Sequence, residues 1–276
     1  MKQKINYSLI VSDFDGTLVK SDGSVSEFSK QTIREYIENG GVFAISTGRM
    51  PAGILPRAKE LGLTGFVCCG QGAAIVDIQT STAVFESTMS NATAIAVCEK
   101  MEEMGLHIHV YTLWEYYSNM DDEALKMYEN IVKNKAKLVL DKPMSKFLKE
   151  TGIMPFKILE MVDPKDNENI RVALEKENFD GCSVTRSSVY LVEVANADCS
   201  KGTSVRFLAE KYDIPLEKTI AIGDQLNDLS MIETAGLGFA VKNADEQLKG
   251  RAKVLEYTHE EDAVARIILQ YGYTQE

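Results

Sequence analysis

Short apolar runs recur along the chain, and each is followed by a polar or glycine-containing turn and then by an amphipathic stretch. Residues 10–11, 42–45 and 219–222 are such runs, and each stops at a group of hydroxyl, carboxyl or glycine residues. Apolar runs that alternate with helical periodicity are typical of strands in a parallel sheet. The pattern therefore predicts an α/β fold, in which the carboxyl ends of the buried strands open onto a ligand-binding crevice.

The first predicted helix begins after Ser24 or Ser26, either of which would cap its first turn. Phe28, Ile33 and Ile37 are expected on its inner face, and glycines at residues 40–41 end it. Further helices are predicted at residues 51–61 and 203–211. Further strands are predicted at residues 65–69, 74–77, 82–86 and 189–195, of which 74–77 and 82–86 form an antiparallel ribbon.

The middle of the chain has its own cycle of predicted elements and no motif of catalytic type. The predicted helices lie at residues 91–104, from about 121 onward and at 164–178, and the predicted strands at 106–112, 137–140, 156–162 and 182–186. The simplest organisation is a core made from both ends of the chain, residues 1–86 and 188–276, with residues 87–187 inserted as a second domain.

Asp13 and Asp15 directly follow the first apolar run. Carboxylates one residue apart at the end of a buried strand allow nucleophile, metal ligand and general acid to be separate groups. The pair also has a purely structural interpretation, because Asp-Gly sequences mark turns and an aspartate after a strand often caps the next element. The pair alone does not decide between catalysis and a turn.

Two other segments offer groups suited to a phosphate. Thr47 precedes Gly48 at the end of the second apolar run, and a hydroxyl beside exposed backbone N–H groups donates to an oxyanion without adding charge. Ser46 is the less favoured hydroxyl of the two. Lys201 precedes a predicted helix, and an ammonium there would offset a phosphate dianion beside several aspartates. The alternatives are a Thr-Gly turn and an ordinary surface lysine.

A fourth segment places Asp224, Asn227 and Asp228 after the apolar run that ends at Gly223. Oxygen atoms of this kind are what Mg²⁺ requires, although acidic residues are also favoured at a helix N-terminus by the helix dipole. Each of these segments follows an apolar run. The repetition of this pattern in four segments is more informative than any one segment alone.

Together, the segments beginning at Asp13, Gly41, Lys201 and Thr219 resemble, in order and content, the four motifs of the haloacid dehalogenase superfamily of phosphohydrolases. The resemblance covers essentially the whole chain and implies a Rossmann-like parallel-sheet core with an inserted α/β cap domain of the large C2B type, as in the Cof-type subgroup. The cap would set substrate specificity. Members of this subgroup often carry Asn-Gly where this chain has Gln71-Gly72.

The resemblance also implies a mechanism. Asp13 would attack phosphorus and form an aspartyl-phosphate, and Asp15 would protonate the leaving oxygen and then activate the hydrolytic water. The implied ligands of Mg²⁺ are Asp13, the carbonyl of Asp15, Asp224 and Asp228, the last acting through water or by orienting the others. The implied phosphate-binding residues are Thr47, Gly48, Lys201 and Asn227.

Composition limits the partners and the cellular location that can be expected for this protein. A net charge of −11 argues against a nucleic-acid or anionic membrane partner, no apolar run approaches the length of a membrane span, and residues 1–6 lack the apolar core of a secretion signal. The expected location is therefore cytoplasmic, and no protein partner can be inferred.

The five cysteines are odd in number and form no Cys-x-x-Cys pair, which favours buried free thiols. Glycines at residues 70 and 72 do not continue into a dinucleotide-binding loop, because a strand follows them.

The expected function is a Mg²⁺-dependent phosphatase acting on small phosphorylated metabolites, such as sugar phosphates or cofactor phosphates. A phosphomutase with the same aspartyl-phosphate is the first alternative. A non-enzymatic sensor of a phosphorylated ligand is the second, and the presence of Asp13, Asp15, Lys201 and Asp224 together argues against it.

Overall fold

The structure, a computed structural model, describes residues 3–132, 134–188 and 190–274. In these residues the strands are β1 (Leu9–Ser12), β2 (Val42–Ser46), β3 (Phe66–Cys69), β4 (Ala74–Asp77), β5 (Ala83–Glu86), β6 (His107–Tyr111), β7 (Tyr116–Ser118), β8 (Lys137–Leu138), β9 (Lys157–Met161), β10 (Cys182–Ser188), β11 (Leu191–Asn196), β12 (Thr219–Gly223), β13 (Leu237–Ala240) and β14 (Lys253–Val254).

The α-helices of the same residues are α1 (Glu27–Glu38), α2 (Pro51–Glu60), α3 (Asn91–Glu103), α4 (Glu123–Val132), α5 (Met144–Thr151), α6 (Asn167–Lys176), α7 (Lys201–Lys211), α8 (Leu229–Thr234), α9 (Glu246–Lys249) and α10 (Ala263–Ile267). None of the helices in the described part of the chain has both the length and the apolar character needed to span a bilayer.

The described chain divides into two compact units. The first contains the described residues of Met1–Arg49, Ile54–Phe85 and Ser200–Glu276, and the second those of Met50–Gly53 and Glu86–Cys199. The sequence predicted that the chain leaves the second unit and re-enters the first at residue 188. The structure places it at Ser200, because β11 pairs antiparallel with both β9 and β10 in the sheet of the second unit. Val189, the first residue of the strand predicted at 189–195, lies outside the described residues.

The first unit is built on a sheet of order β14-β13-β12-β1-β2-β3-β4-β5. Its pairings from β14 to β3 are parallel, and β3 pairs antiparallel with β4. All four residues of β1 are buried, as expected for a central strand covered on both faces. The predicted α/β class with a mainly parallel sheet is confirmed.

The first helix is capped by Ser26, whose side chain accepts a hydrogen bond from the Ser29 N–H, so Ser24 is not the cap. The predicted inner face was partly wrong. Ile33 is buried, but Phe28 is 46% exposed, because the buried face runs through Ser29, Thr32, Ile33 and Tyr36 at helical spacing. Phe28 comes one residue before Ser29, the first residue of the buried face, and adjacent residues of a helix point in different directions.

The second unit contains a sheet of order β10-β11-β9-β6-β7-β8. One face of β6 carries Ile108 and Val110, which pack in an apolar core with side chains of α3, α5 and α6. The other face carries His107 and His109, whose Nε2 atoms lie 3.1 Å apart, and Tyr111. The strand predicted at 137–140 is shorter than expected, since β8 ends at residue 138, and the helix predicted at 164–178 is limited to α6.

Candidate active site

The carboxyl ends of β1 and β12 bring the first and fourth motifs together. The two strands run side by side, and the Asp13 N–H donates to the Ile222 carbonyl at 2.9 Å. Asp13, Asp224 and Asp228 are all buried, and each offers a carboxylate oxygen within 4.8 Å of the others. Residues more than two hundred positions apart in sequence therefore form one cluster of carboxylates at the carboxyl ends of two neighbouring strands.

Lys201 joins this cluster from a different element. It is the first residue of α7, whose N-terminus is capped by Ser200 through a hydrogen bond from the Thr203 N–H. The Lys201 Nζ lies 2.5 Å from Asp13 Oδ1 and 2.5 Å from Asp228 Oδ1. Burial would lower the pKa of this lysine, but the Asp13 and Asp228 carboxylates outweigh it and raise the pKa. Lys201 is therefore held as an ammonium in the interior.

The charges of the cluster do not balance. Three carboxylates face one ammonium, which leaves an excess of negative charge in a buried place. Burial raises the pKa of Asp13 well above its usual range, and the neighbouring Asp228 and Asp224 raise it further, against the opposing effect of Lys201. A divalent cation bound to carboxylate oxygens would correct this imbalance, and the donor set is the all-oxygen type that Mg²⁺ takes. The residues present thus fit the implied metal.

Hydrogen bonds fix the orientation of the two later carboxylates. Asp228 Oδ2 accepts from the backbone N–H groups of Asp224, at 2.8 Å, and Gln225, at 2.9 Å. Asp224 Oδ1 accepts from the Thr17 hydroxyl at 2.8 Å. Thr17 belongs to the first motif, but no role was predicted for it from the sequence. Asp228 therefore contacts the backbone of the residues that follow β12, and its implied role, through water or by orienting the other ligands, stays a prediction.

Gly16 is required beside Asp224 for two reasons. Its φ of +77° lies in the left-handed region, and a Cβ at this position would lie 2.6 Å from Asp224 Oδ2. The turn after Asp13 can therefore approach the Asp224 carboxylate only because residue 16 has no side chain.

Asp15 lies apart from the carboxylate cluster. Its side chain is 54% exposed and forms a two-point ion pair with Arg49, from Nε to Oδ2 and from Nη2 to Oδ1, both at 2.7 Å. The hydrogen bond to Asp15 raises the pKa of Arg49. The Arg49 guanidinium also lies 5.1 Å from the centre of the Phe14 ring. Arg49 directly follows Thr47 and Gly48 and ends the second motif, but no role was predicted for it from the sequence.

The end of the second motif, from Thr47, lies directly after β2. Thr47 is buried, its N–H donates to the Cys68 carbonyl at 2.9 Å, and its hydroxyl accepts from the Arg49 N–H at 3.2 Å. The Ser46 hydroxyl is also buried but has no hydrogen-bond partner among the described residues. Asn227 is exposed, and its side-chain amide donates to Gln71 Oε1 at 2.9 Å.

The structure thus places the predicted site residues in the first unit and at one sheet edge, but it does not bring all of them into one cluster. Asp13, Asp224, Asp228 and Lys201 form the buried cluster, whereas Asp15 pairs with Arg49 and Asn227 pairs with Gln71. The catalytic, metal-binding and phosphate-binding roles of these residues remain predictions.

The chain is similar in sequence to known proteins over nearly its whole length. A sequence model of the haloacid dehalogenase-like hydrolase family matches residues 10–268. A protein of Haemophilus influenzae is 30% identical over 267 residues, covering 95% of this chain and 97% of that relative. The 5-amino-6-(5-phospho-D-ribitylamino)uracil phosphatase YwtE of Bacillus subtilis is 26% identical over 288 residues, covering 95% of this chain and 96% of its own length.

Solved structures show the same fold. A haloacid dehalogenase-like hydrolase from Bacteroides thetaiotaomicron superposes with a TM-score of 0.84 at 29% identity, over 96% of this chain and 99% of that one. The family match spans both ends of the chain, including the carboxylate cluster and Lys201. This chain therefore belongs to the haloacid dehalogenase-like hydrolases and is a phosphatase of their Cof type.

Proposed function

We propose that this protein is a Mg²⁺-dependent phosphatase that hydrolyses small phosphorylated metabolites through an aspartyl-phosphate on Asp13. The observation that carries the proposal is the Lys201 ammonium between Asp13 and Asp228, with Asp224 beside them. A buried carboxylate held next to a fixed cation at the carboxyl edge of a parallel sheet is placed to act as a nucleophile on an anionic substrate.

Asp13 would attack phosphorus through a carboxylate oxygen, in line with the bond to the leaving oxygen. Asp15 would give its proton to that oxygen as the alcohol departs, and would then take a proton from the water that hydrolyses the acyl phosphate. Because the Asp15 side chain lies outside the cluster, its role as acid and base does not compete with metal binding by Asp13 and Asp224.

The proposed metal ligands are Asp13, the Asp15 carbonyl and Asp224, with Asp228 holding Asp224 in position. The cation would supply positive charge that stabilises the phosphoryl oxygens during transfer. Thr47, Gly48, Lys201 and Asn227 are the proposed phosphate-binding residues. Of these, Lys201 already contacts the proposed nucleophile, so one ammonium would bridge Asp13 and the transferring group.

The proposed substrate class is a sugar phosphate or cofactor phosphate, with the enzyme acting in the cytoplasm. The name of YwtE describes a phosphatase of a phosphorylated ribityl compound, and this relative aligns with nearly the whole chain. The second compact unit is the proposed cap that selects the substrate, and the first is the proposed catalytic core. The net charge of −11 supports a small substrate over a nucleic acid.

Phosphate release from a panel of sugar, nucleotide and cofactor phosphates tests the proposal. Release should require Mg²⁺, stop with EDTA, and fall by roughly a thousandfold or more in Asp13→Asn. Undiminished release by Asp13→Asn would rule out the aspartyl-phosphate. Accumulation of an isomeric sugar phosphate in place of free phosphate would identify a phosphomutase instead.

A further inference from the structure

The turn Gly70–Gly72 between β3 and β4 is attached to the second motif through its backbone. The Gly70 N–H donates to the Arg49 carbonyl at 3.1 Å, and the Gln71 N–H donates to the Thr47 carbonyl at 3.1 Å. These bonds hold the turn against both sides of Gly48. A segment outside the four motifs is therefore hydrogen-bonded directly to the second motif.

The turn also touches the third motif. Gly72 has a φ of +93°, and a Cβ there would lie 2.0 Å from the carbonyl oxygen of Ser200, the residue before Lys201. Only glycine permits this approach. The position of Gln71 is thus fixed relative to the residue that carries the cluster's ammonium.

Gln71 adopts an unfavourable backbone conformation. Its φ of 62° and ψ of 29° lie in the left-handed region, where glycine, asparagine and aspartate are favoured and glutamine is uncommon. Strained residues of this kind persist where their surroundings hold them in place, and they concentrate at functional sites. The presence of a long amide at such a position points to a use for its side chain.

The side chain of Gln71 lies between two proposed phosphate-binding residues. Its Oε1 accepts the hydrogen bond from Asn227 Nδ2 at 2.9 Å. On the other side, a Cβ built on Gly48 would lie 2.6 Å from Gln71 Nε2. Among the described residues none accepts a hydrogen bond from Nε2, so its N–H groups are available next to Gly48.

We propose that Gln71 is a further phosphate-binding residue. Its Nε2 donates to an oxygen of the phosphate held at Thr47 and Gly48, while its Oε1 keeps the Asn227 amide in position. A neutral donor suits this place, because it binds an oxyanion without adding to the positive charge that Lys201 supplies. The assignment rests on the proposed function, since it deepens the same phosphate site.

Binding of inorganic phosphate in the presence of Mg²⁺, measured by calorimetry, tests this proposal without requiring turnover. Gln71→Glu keeps the side-chain length and Oε1 but replaces the donor with a negatively charged acceptor. Gln71→Gly removes the amide and relieves the left-handed strain, so it should be at least as stable as the wild type in urea. Gln79→Glu is the matched control for charge, and Ser81→Gly, at a φ of 57°, is the matched control for strain relief.

Both Gln71 variants should bind phosphate roughly ten- to a hundredfold more weakly than the wild type, the range expected for losing one hydrogen bond to a charged group. Both controls should bind as the wild type does. Wild-type affinity in the stable Gln71→Gly variant would overturn the inference. A wild-type protein that binds phosphate but hydrolyses nothing would instead contradict the proposed function, and the affinities of the variants would still decide the role of Gln71. A wild-type protein that does not bind phosphate would overturn both.

Discussion

Arg49 holds Asp15 by two parallel hydrogen bonds of 2.7 Å, one from Nε and one from Nη2. A planar guanidinium fixes both the position and the rotation of a carboxylate, which a lysine ammonium cannot do. The group proposed as general acid is therefore oriented by the residue that ends the second motif.

Arg49→Lys should lower kcat by roughly ten- to a hundredfold, because a small displacement of the acid slows proton transfer. Stability should change by less than about 1 kcal/mol, since the pair is well exposed. Steady-state kinetics and urea unfolding of the variant measure the two effects. Arg57→Lys, in an exposed pair with Glu60, is the control and should leave kcat unchanged. An unchanged kcat in Arg49→Lys would show that the two-point contact does not position Asp15 for catalysis.

Asp224→Asn should weaken binding of Mg²⁺. In the wild type, Mg²⁺ at a hundred times its dissociation constant should add about 2.7 kcal/mol to the free energy of unfolding, because it binds the folded state. Urea unfolding with and without Mg²⁺ measures this gain, which should largely disappear in Asp224→Asn. Asp213→Asn makes the same charge change at an exposed position of the same unit and should retain the gain. Equal gains in both variants would exclude Asp224 as a ligand.

Lys201→Met should destabilise the metal-free protein by about 3–5 kcal/mol, because it leaves the buried carboxylates of Asp13 and Asp228 without their cation. The free energy of unfolding in EDTA measures the change. Arg206→Met removes a positive charge from the exposed side of the same helix and should change stability by less than about 1 kcal/mol. If the two losses were similar, the ammonium would not be compensating buried charge.

Glu160 should make the stability of the protein depend on pH. Its side chain is fully buried on the face of β9 that packs against the apolar core of the second unit, and neither carboxylate oxygen has a partner among the described residues. Burial raises its pKa from 4.5 to about 8. The folded state therefore retains a proton that the unfolded chain releases between these values, so the contribution of Glu160 to stability is complete below pH 4.5 and is lost as pH rises towards 8.

The loss should reach up to about 4 kcal/mol, from roughly 1.4 kcal/mol per pKa unit. Glu160→Gln should remove this dependence and raise the free energy of unfolding at pH 8. Urea unfolding between pH 5 and 8 compares it with the wild type. Glu99→Gln, at an exposed position, should keep the wild-type slope. A wild-type slope in Glu160→Gln would show that the carboxyl group does not titrate in this range.

The sequence predicted the sheet and the meeting of the motifs because both depend on local patterns. Apolar runs predict buried strands, and parallel strands bring their carboxyl ends to one edge. The family resemblance then implied that Asp13 and Asp224 share a metal at that edge. What the sequence could not predict depends on side-chain direction. The face of α1 that is buried, the pairing of Asp15 with Arg49 and the contact of Gln71 with Asn227 are set by tertiary packing.

The division between the units was harder to predict for a related reason. A strand of β11's composition fits either sheet, and only its pairing with β9 and β10 assigns it to the second unit. Strand pairings of this kind depend on partners distant in sequence, which a local pattern does not contain.

The separation of 188 residues between Asp13 and Lys201 has a consequence for biosynthesis. Strand β1 lies between β2 and β12, and β12 leaves the ribosome only after the whole second unit has been made. Until then β1 is an open sheet edge with unpaired backbone groups, which is the kind of surface on which chains aggregate. The nascent protein must therefore keep this edge protected while the second unit folds, and the carboxylate cluster is among the last features of the molecule to form.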